Sequence, residues 1–121
     1  MARNEYICDC NCIHYDTVED ILQQMPPSET FCSMADFYKI LGDATRCKII
    51  YALNENELCV CDLANVLSMS KSSISHQLSK MRTSGVVKCR REGKEIYYSL
   101  DDDHISQIFA LTMTHIRRCK S

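Results

Sequence analysis

Two cysteines separated by one residue, Cys59 and Cys61, have the clearest capacity for chemistry in this sequence. They stand at the start of an apolar stretch with helical character. Thiolates bind soft divalent cations well, but such an ion needs three or four of them. The pair therefore predicts half of a metal site, although free cysteines also pack in proteins as small hydrophobic side chains.

The N-terminal segment offers the missing sulfur ligands. Cys8, Cys10 and Cys12 occupy alternate positions within residues 1–15, which contain little apolar material and are predicted to form a flexible arm. If this arm folds back, from the same chain or from a dimer partner, Cys8 and Cys12 complete a four-sulfur site for cadmium, lead or zinc. Cys10 could replace one of them, or help three sulfurs bind a softer trigonal ion.

Cysteine usage also indicates the compartment. The 121 residues include nine cysteines, an odd number, and neither an export signal at residues 1–4 nor a long apolar run is visible. We therefore expect a cytoplasmic protein without a membrane segment, whose thiols are free or bound to metal. Cys47 is predicted to be a small core residue, and the roles of Cys32, Cys89 and Cys119 are left open.

Charge is distributed unevenly along the chain. The formal net charge is −2, but residues 71–94 contain seven basic side chains and one acidic side chain, so this block carries +6 and the rest carries −8. A basic block on an acidic body is expected for nucleic-acid binding, although a solvated basic face has the same composition.

Apolar periodicity and capping residues predict the elements that position these groups. A short helix capped by Asp16 or Thr17 should run to Met25, and an amphipathic helix should cover residues 30–41. Asp43 should cap the following helix. A further short helix is predicted over residues 58–67, within which Leu58, Leu63, Val66 and Leu67 are apolar.

The next helix makes this a helix-turn-helix. Ser70 can cap a helix from Lys71 to about Ser84, which Gly85 ends in the left-handed conformation. Short polar or charged groups cover its outer face and could approach bases and phosphates. They are Lys71, Ser72, Ser73, Ser75, His76, Gln77 and Lys80.

A β-hairpin should follow as a wing. Residues 86–91 and 95–100 are rich in β-branched and aromatic types around a Gly turn, with Arg90, Arg91 and Lys94 placed to contact the DNA backbone. The prediction is a mainly α fold with a β-hairpin, a winged helix-turn-helix within one domain over residues 16–121. The apolar terminal helix is predicted to form a homodimer seam, as expected for a protein that reads two half-sites of double-stranded DNA.

A second group of donors accompanies the terminal helix. Asp102 and His104 stand at its start and His115 lies further along, so two antiparallel copies could form a zinc-type site between subunits. A capping carboxylate and two partly exposed histidines would give the same pattern.

Several segments together resemble the ArsR/SmtB family of metal-responsive repressors, and its cadmium- and lead-responsive CadC branch most closely. The matching segments are residues 40–46, 57–64, 75–78, 85–87 and 91–94, and the spacing of Cys8 and Cys12 before Cys59 and Cys61 matches the CadC branch. Taken as a whole, the resemblance extends over nearly the whole chain. The resemblance implies a homodimeric winged-helix repressor that occupies an operator and leaves it when metal binds. Carried over by position, it implies a sulfur site of Cys8, Cys12, Cys59 and Cys61, and a zinc-type site of Asp102, His104 and the partner's His115.

Two positions depart from the family pattern. Where the second site of the family has a carboxylate three residues after the histidine, this chain has Arg118, so that site lacks a ligand. Arsenic sensors of the family continue to a third cysteine, but Ala64 occupies that position here. Arsenite or bismuth would therefore need a sulfur from the arm.

Other functions are compatible with parts of the sequence. The same thiols could serve a redox- or persulfide-sensing repressor, or a structural zinc clip that holds the arm without switching. An enzyme is not expected, because the only glycines, Gly42, Gly85 and Gly93, form no phosphate-binding loop, and no nucleophile stands out beside a base.

Overall fold

The chain forms six helices and one small sheet in the described residues. The computed structural model describes residues 6–8 and 10–120, and only the backbone of residue 120. The elements are α1 (Tyr15–Gln24), α2 (Ser28–Leu41), α3 (Ala44–Leu53), β1 (Leu58–Cys59), α4 (Val60–Leu67), α5 (Lys71–Thr83), β2 (Val87–Glu92), β3 (Glu95–Leu100) and α6 (Asp103–Lys120). The expectation about an export signal concerns residues 1–4, which lie outside the described residues.

Backbone contacts divide the chain into two units, Met1–Cys32 and Ser33–Ser121. The first unit contains α1, whose side chains are all exposed. The predicted cap at Asp16 or Thr17 is wrong: α1 begins at Tyr15 after His14, which makes no side-chain capping bond, and Asp16 lies inside the first turn. An acidic side chain there still interacts favourably with the helix dipole.

Local capping chemistry fixes the helices of the second unit. Asp43 Oδ2 accepts a hydrogen bond from the Arg46 N–H at 3.1 Å, and Ser70 Oγ accepts one from the Ser73 N–H at 3.1 Å. Both predicted caps are confirmed. Gly85 follows α5 with φ +75°, the left-handed conformation that glycine adopts without steric cost.

The predicted helix over residues 58–67 is wrong at its start. Leu58 and Cys59 form strand β1, which pairs antiparallel with Tyr98 and Tyr97 of β3, and α4 begins only at Val60. The segment is extended because it pairs with β3. Since β3 lies far along the chain, helical periodicity cannot predict this contact. Cys59 is thus both a strand residue and the N-cap of α4.

The wing forms as predicted. Strands β2 and β3 pair antiparallel in a register that places Cys89 opposite Tyr98 and Arg90 opposite Tyr97. The turn between them uses Gly93 at φ +65°. The sheet order is β1-β3-β2, so β3 is the central strand. It pairs with β2 in the wing and with β1, the strand that carries Cys59.

The core of the second unit lies between α3, α4, α5, the sheet and the start of α6. Its most deeply buried side chains are Ile49, Ile50, Leu63, Ile74, Leu78, Met81, Val86 and Val87. The inner face predicted for α5, with Ile74, Leu78 and Met81, is therefore confirmed. Val66, one of the apolar residues of α4, is 63% exposed and lines an open apolar groove.

The groove lies along α6. Its walls include Ile50 and Tyr51 of α3, Leu67 of α4, and Phe109 and Met113 of α6, and its volume is ≈ 600 Å³. No helix in the described part of the chain is long and apolar enough to cross a lipid bilayer.

Candidate metal centre and nucleic-acid interface

Cys59 and Cys61 stand together at the N-terminus of α4, and both are free thiols. Cys59 is half-buried, and its backbone N–H donates to Asp62 Oδ2 at 3.2 Å. Cys61 is exposed in the first turn, where its carbonyl accepts a hydrogen bond from Asn65 Nδ2 at 2.9 Å. Side-chain hydrogen bonds from Asn65 and to Asp62 thus hold the backbone around both cysteines, while the Cys61 thiol is open to a ligand.

The cysteines of the arm belong to the first unit. Cys8, Cys10 and Cys12 are exposed, and the sulfurs of Cys8 and Cys10 lie 3.3 Å apart. The pKa of Cys10 is below its ordinary value because the Cys12 backbone and then the Cys8 and Cys12 thiols hydrogen-bond to it. Between residues 6 and 120, no three His, Cys, Asp or Glu side chains of the described set are gathered into a metal-binding group.

The terminal helix holds its donor groups at opposite ends. Asp102 Oδ1 accepts a hydrogen bond from the His104 N–H at 2.9 Å, and Oδ2 lies 3.3 Å from His104 Nδ1. Desolvation raises the pKa of Asp102, but the hydrogen bonds from His104 and the Ile105 N–H outweigh it and leave the pKa lowered. Asp102 thus caps α6, as the alternative interpretation of this group supposed.

His115 lies near the other end of α6. Eleven residues of helix correspond to roughly 16 Å, so one chain does not bring His115 to His104. Its Nε2 instead lies 3.6 Å from the sulfur of Cys119. Arg118 stands where the family's site has a carboxylate, but the Cys119 thiol lies close to His115 on the same helix.

The predicted DNA-binding face of α5 is largely open. Its side chains are exposed except for Gln77, which is half-buried, and on the wing Arg91 and Lys94 are also exposed. Ser73 Oγ accepts a hydrogen bond from the Ser70 hydroxyl at 2.9 Å. The remaining exposed members of the set are Lys71, Ser72, Ser75, His76 and Lys80.

Arg90 differs from its neighbours on the wing because carboxylates surround its guanidinium. Its Nε and Nη2 donate to the two oxygens of Glu57 at 2.8 and 2.6 Å, and Nη1 donates to Glu92 at 2.6 Å. These bonds raise the pKa of Arg90, and its bond to Glu57 lowers the pKa of that carboxyl. The guanidinium also lies 5.0 Å from the ring centre of Tyr97, whose pKa is raised to about 12 by its hydrogen bond to Glu95.

Sequence reasoning missed the partner of Gln77. Arg46, at the start of α3, donates from Nε to Gln77 Oε1 at 2.9 Å. The two residues lie 31 positions apart, and no local pattern marks Arg46 as more than an ordinary helical cation. The Glu57–Arg90 pair was missed for the same reason, since its partners lie 33 positions apart.

Comparison with known proteins identifies the family. Residues 43–88, which include the helix-turn-helix, match the model for bacterial regulatory proteins of the arsR family. A "cadmium resistance transcriptional regulatory protein CadC homolog" from Staphylococcus aureus is 40% identical over 95% of each chain. This chain belongs to the ArsR family. A "transcriptional repressor SmtB homolog" from a Synechocystis species is 35% identical over 92% of this chain and 84% of its own.

A solved ArsR-family fold agrees with the architecture. The homodimeric winged helix-turn-helix DNA-binding domain of a possible ArsR-family regulator from Mycobacterium bovis superposes with a TM-score of 0.71. It is 26% identical and covers 74% of this chain and 83% of its own. The predicted winged helix-turn-helix is thereby confirmed for this ArsR-family chain.

Proposed function

We propose that this chain is a metal-responsive transcriptional repressor of the cytoplasm, with a regulatory and not a catalytic role. It binds operator DNA as a homodimer and is released when a soft metal ion binds its thiolates. The observation that carries the proposal is the placement of two free thiols, Cys59 and Cys61, at the N-terminus of α4, the helix that precedes the recognition helix α5. A ligand there acts directly on the DNA-reading unit.

The proposed ligands are Cys8, Cys12, Cys59 and Cys61, with Cys10 able to replace an arm ligand. Four thiolates suit cadmium or lead, and zinc also accepts such a set. The similarity to a cadmium-resistance regulator favours cadmium among these ions. Support for the ligand set comes from donor chemistry and from the free state of all four thiols.

The proposed DNA contacts follow from the exposed face of α5 and the wing. Helix α5 enters the major groove, while Arg91 and Lys94 reach the neighbouring phosphates. A homodimer presents two such units to two half-sites, as the homodimeric Mycobacterium bovis relative supports. Metal binding then favours a dimer geometry in which the recognition helices no longer match successive grooves.

Release by metal requires a coupling free energy between the two sites. Such couplings are typically ~1–3 kcal/mol, and they are reciprocal. Operator DNA should therefore weaken cadmium binding by the same factor by which cadmium weakens DNA binding. Only a difference in affinity between the two dimer geometries can produce this effect.

Fluorescence anisotropy of labelled DNA from upstream of the gene tests the proposal. Cadmium, lead, zinc and arsenite are titrated into the complex of wild type, Cys59→Ser and Cys32→Ser. We expect cadmium to release the wild type and Cys32→Ser, whose changed thiol is exposed on α2, but not Cys59→Ser. The proposal fails if cadmium leaves the wild-type complex intact or if Cys59→Ser responds like the wild type.

A second, zinc-type site is proposed between subunits from Asp102 and His104 of one α6 and His115 of the other. Nitrogen and oxygen donors suit zinc, and the Asp102–His104 contact already orients one half of the site. If the site is real, His104→Ala lowers the zinc stoichiometry of the dimer measured by equilibrium dialysis while leaving cadmium binding at the thiolates unchanged.

A thiol-redox switch is the second candidate function. The observation that favours it is the 3.3 Å separation of the Cys8 and Cys10 sulfurs. A peroxide could oxidise the two thiols to a disulfide, with its O–O bond reduced to two waters or to water and an alcohol. Loss of DNA binding under mild peroxide without metal, absent in Cys10→Ser, would support this function over the metal switch.

A further inference from the structure

Arg46 joins the end of α2 to the recognition helix α5. Its Nε donates to Gln77 Oε1 at 2.9 Å, and its Nη1 lies 3.4 Å from the carbonyl oxygens of both Lys39 and Ile40. Those carbonyls are in the last turn of α2, where a cation interacts favourably with the helix dipole. Arg46 is half-buried, and these hydrogen bonds hold its guanidinium between the two helices.

This contact decides which way the Gln77 amide faces. A guanidinium has donors and no acceptor, so only the carbonyl oxygen of the amide can face it. A flipped amide would place its NH₂ group against the N–H of Arg46 and lose the bond. The NH₂ group of Gln77 then faces away from Arg46, and it makes no hydrogen bond to any described residue of the chain.

We propose that Arg46 is a positioning residue for sequence reading, and that Gln77 presents its NH₂ group to a purine N7 in the major groove. This inference rests on the proposed DNA-binding function. A free glutamine reads adenine with both its oxygen and its nitrogen, taking N6–H and N7 together. Because Arg46 engages the oxygen, the nitrogen is the freer contact, and N7 is an acceptor shared by guanine and adenine.

The test uses a DNA duplex selected for tight binding from a random pool, in which single purines are replaced by 7-deazapurines that lack N7. For the wild type we expect one position in each half-site to lose about tenfold in affinity, which corresponds to ~1.4 kcal/mol. Gln77→Ala should bind more weakly and show no loss at that position.

Gln77→Glu separates orientation from folding. The carboxylate keeps the bond to Arg46 and the shape of the side chain, but it has no N–H to offer at neutral pH. We expect it to be insensitive to the 7-deaza substitution. Lys80→Ala is the matched control on the same helix, since it should weaken binding at every sequence and keep the loss at the N7 position.

The role of Arg46 is measured by a double-mutant cycle. Arg46→Ala frees the Gln77 amide to take N6–H and N7 together, so this variant should prefer adenine over guanine at that position, whereas the wild type accepts either purine. Arg46→Ala/Gln77→Ala should show no such preference and no sensitivity to the 7-deaza substitution, like Gln77→Ala alone. A merely structural Arg46 would change affinity without changing discrimination at one base. A 7-deaza loss that persists in Gln77→Glu, or an unchanged choice between adenine and guanine in Arg46→Ala, would overturn the inference. A wild type that binds no DNA would overturn the proposed function itself.

Discussion

Two adjacent arginines on β2 differ in how much of their charge is available to DNA. Arg91 is exposed, whereas Arg90 is bonded to the carboxylates of Glu57 and Glu92. A phosphate competes with those carboxylates for Arg90, so of these two arginines Arg91 should contribute more to counterion release on binding DNA. The two side chains are therefore unequal partners despite their identical chemistry.

Arg91→Ala should weaken DNA binding and reduce the salt slope of log K by about 1 per subunit that contacts phosphate. Arg90→Ala should change the slope less. The measurement is operator affinity across a series of salt concentrations for both variants. Equal changes in slope would show that Arg90 leaves its carboxylates when DNA binds.

The number of thiolates that bind a metal ion can be measured from the protons released on binding. Each cysteine that binds metal as thiolate gives up the proton of its thiol, so cadmium affinity should fall as the pH is lowered. Cys12→Ser should release fewer protons per cadmium ion than the wild type, measured with an indicator dye in weak buffer. Cys119→Ser, which changes an exposed thiol outside the proposed ligand set, should release as many as the wild type.

At the scale of elements, the serine at the start of the recognition helix matters for stability. Ser70 Oγ accepts the Ser73 N–H, which otherwise has no partner in the helix. Ser70→Ala should lower the free energy of unfolding by about 1 kcal/mol. Urea denaturation at fixed protein concentration measures this free energy. Ser79→Ala, on the exposed side of the same helix, is the control and should leave the free energy of unfolding unchanged or raise it slightly.

Sequence reasoning succeeded where an element is specified by its own residues. The caps Asp43 and Ser70 and the left-handed Gly85 each act over a few positions, so types and spacing suffice to predict them. Strand β1 was missed because its conformation depends on Tyr97 and Tyr98, which are remote in the chain. Pairing between distant segments leaves no periodic trace in either one.

The candidate site shows the same division. Thiol chemistry selected Cys59 and Cys61 by residue type, and they lie at the N-cap and in the first turn of α4. Their role as metal ligands stays a prediction. Arg46 and Glu57 were not predicted to matter, because each acquires its role from a partner in another element. Charge type alone could not distinguish a cation that orients a neighbour from one that faces solvent.

At the scale of the whole molecule, α6 presents apolar side chains on two sides. Phe109 and Met113 line the groove, while Leu111 faces away from it and is 71% exposed. An exposed leucine on the predicted dimer seam costs free energy unless another surface covers it. A second copy of the chain is the proposed cover.

Leu111→Glu should shift the protein from dimer to monomer and weaken binding to a two-half-site operator, because each half-site would then be bound separately. Sedimentation equilibrium gives the mass, and anisotropy gives the affinity. Thr83→Glu, which introduces the same charge at the exposed end of α5, should leave the mass of the dimer unchanged. A dimeric Leu111→Glu would place the seam elsewhere.

The shortness of β1 has a dynamic consequence. Only the Leu58–Tyr98 and Cys59–Tyr97 pairs join it to β3, whereas β2 is joined to β3 by six pairs. Such a strand should detach locally far more often than the domain unfolds, and its amide hydrogens should exchange early. A cation held by Cys59 would oppose that opening, so slowed exchange at β1 should report occupancy of the metal centre before any DNA is present.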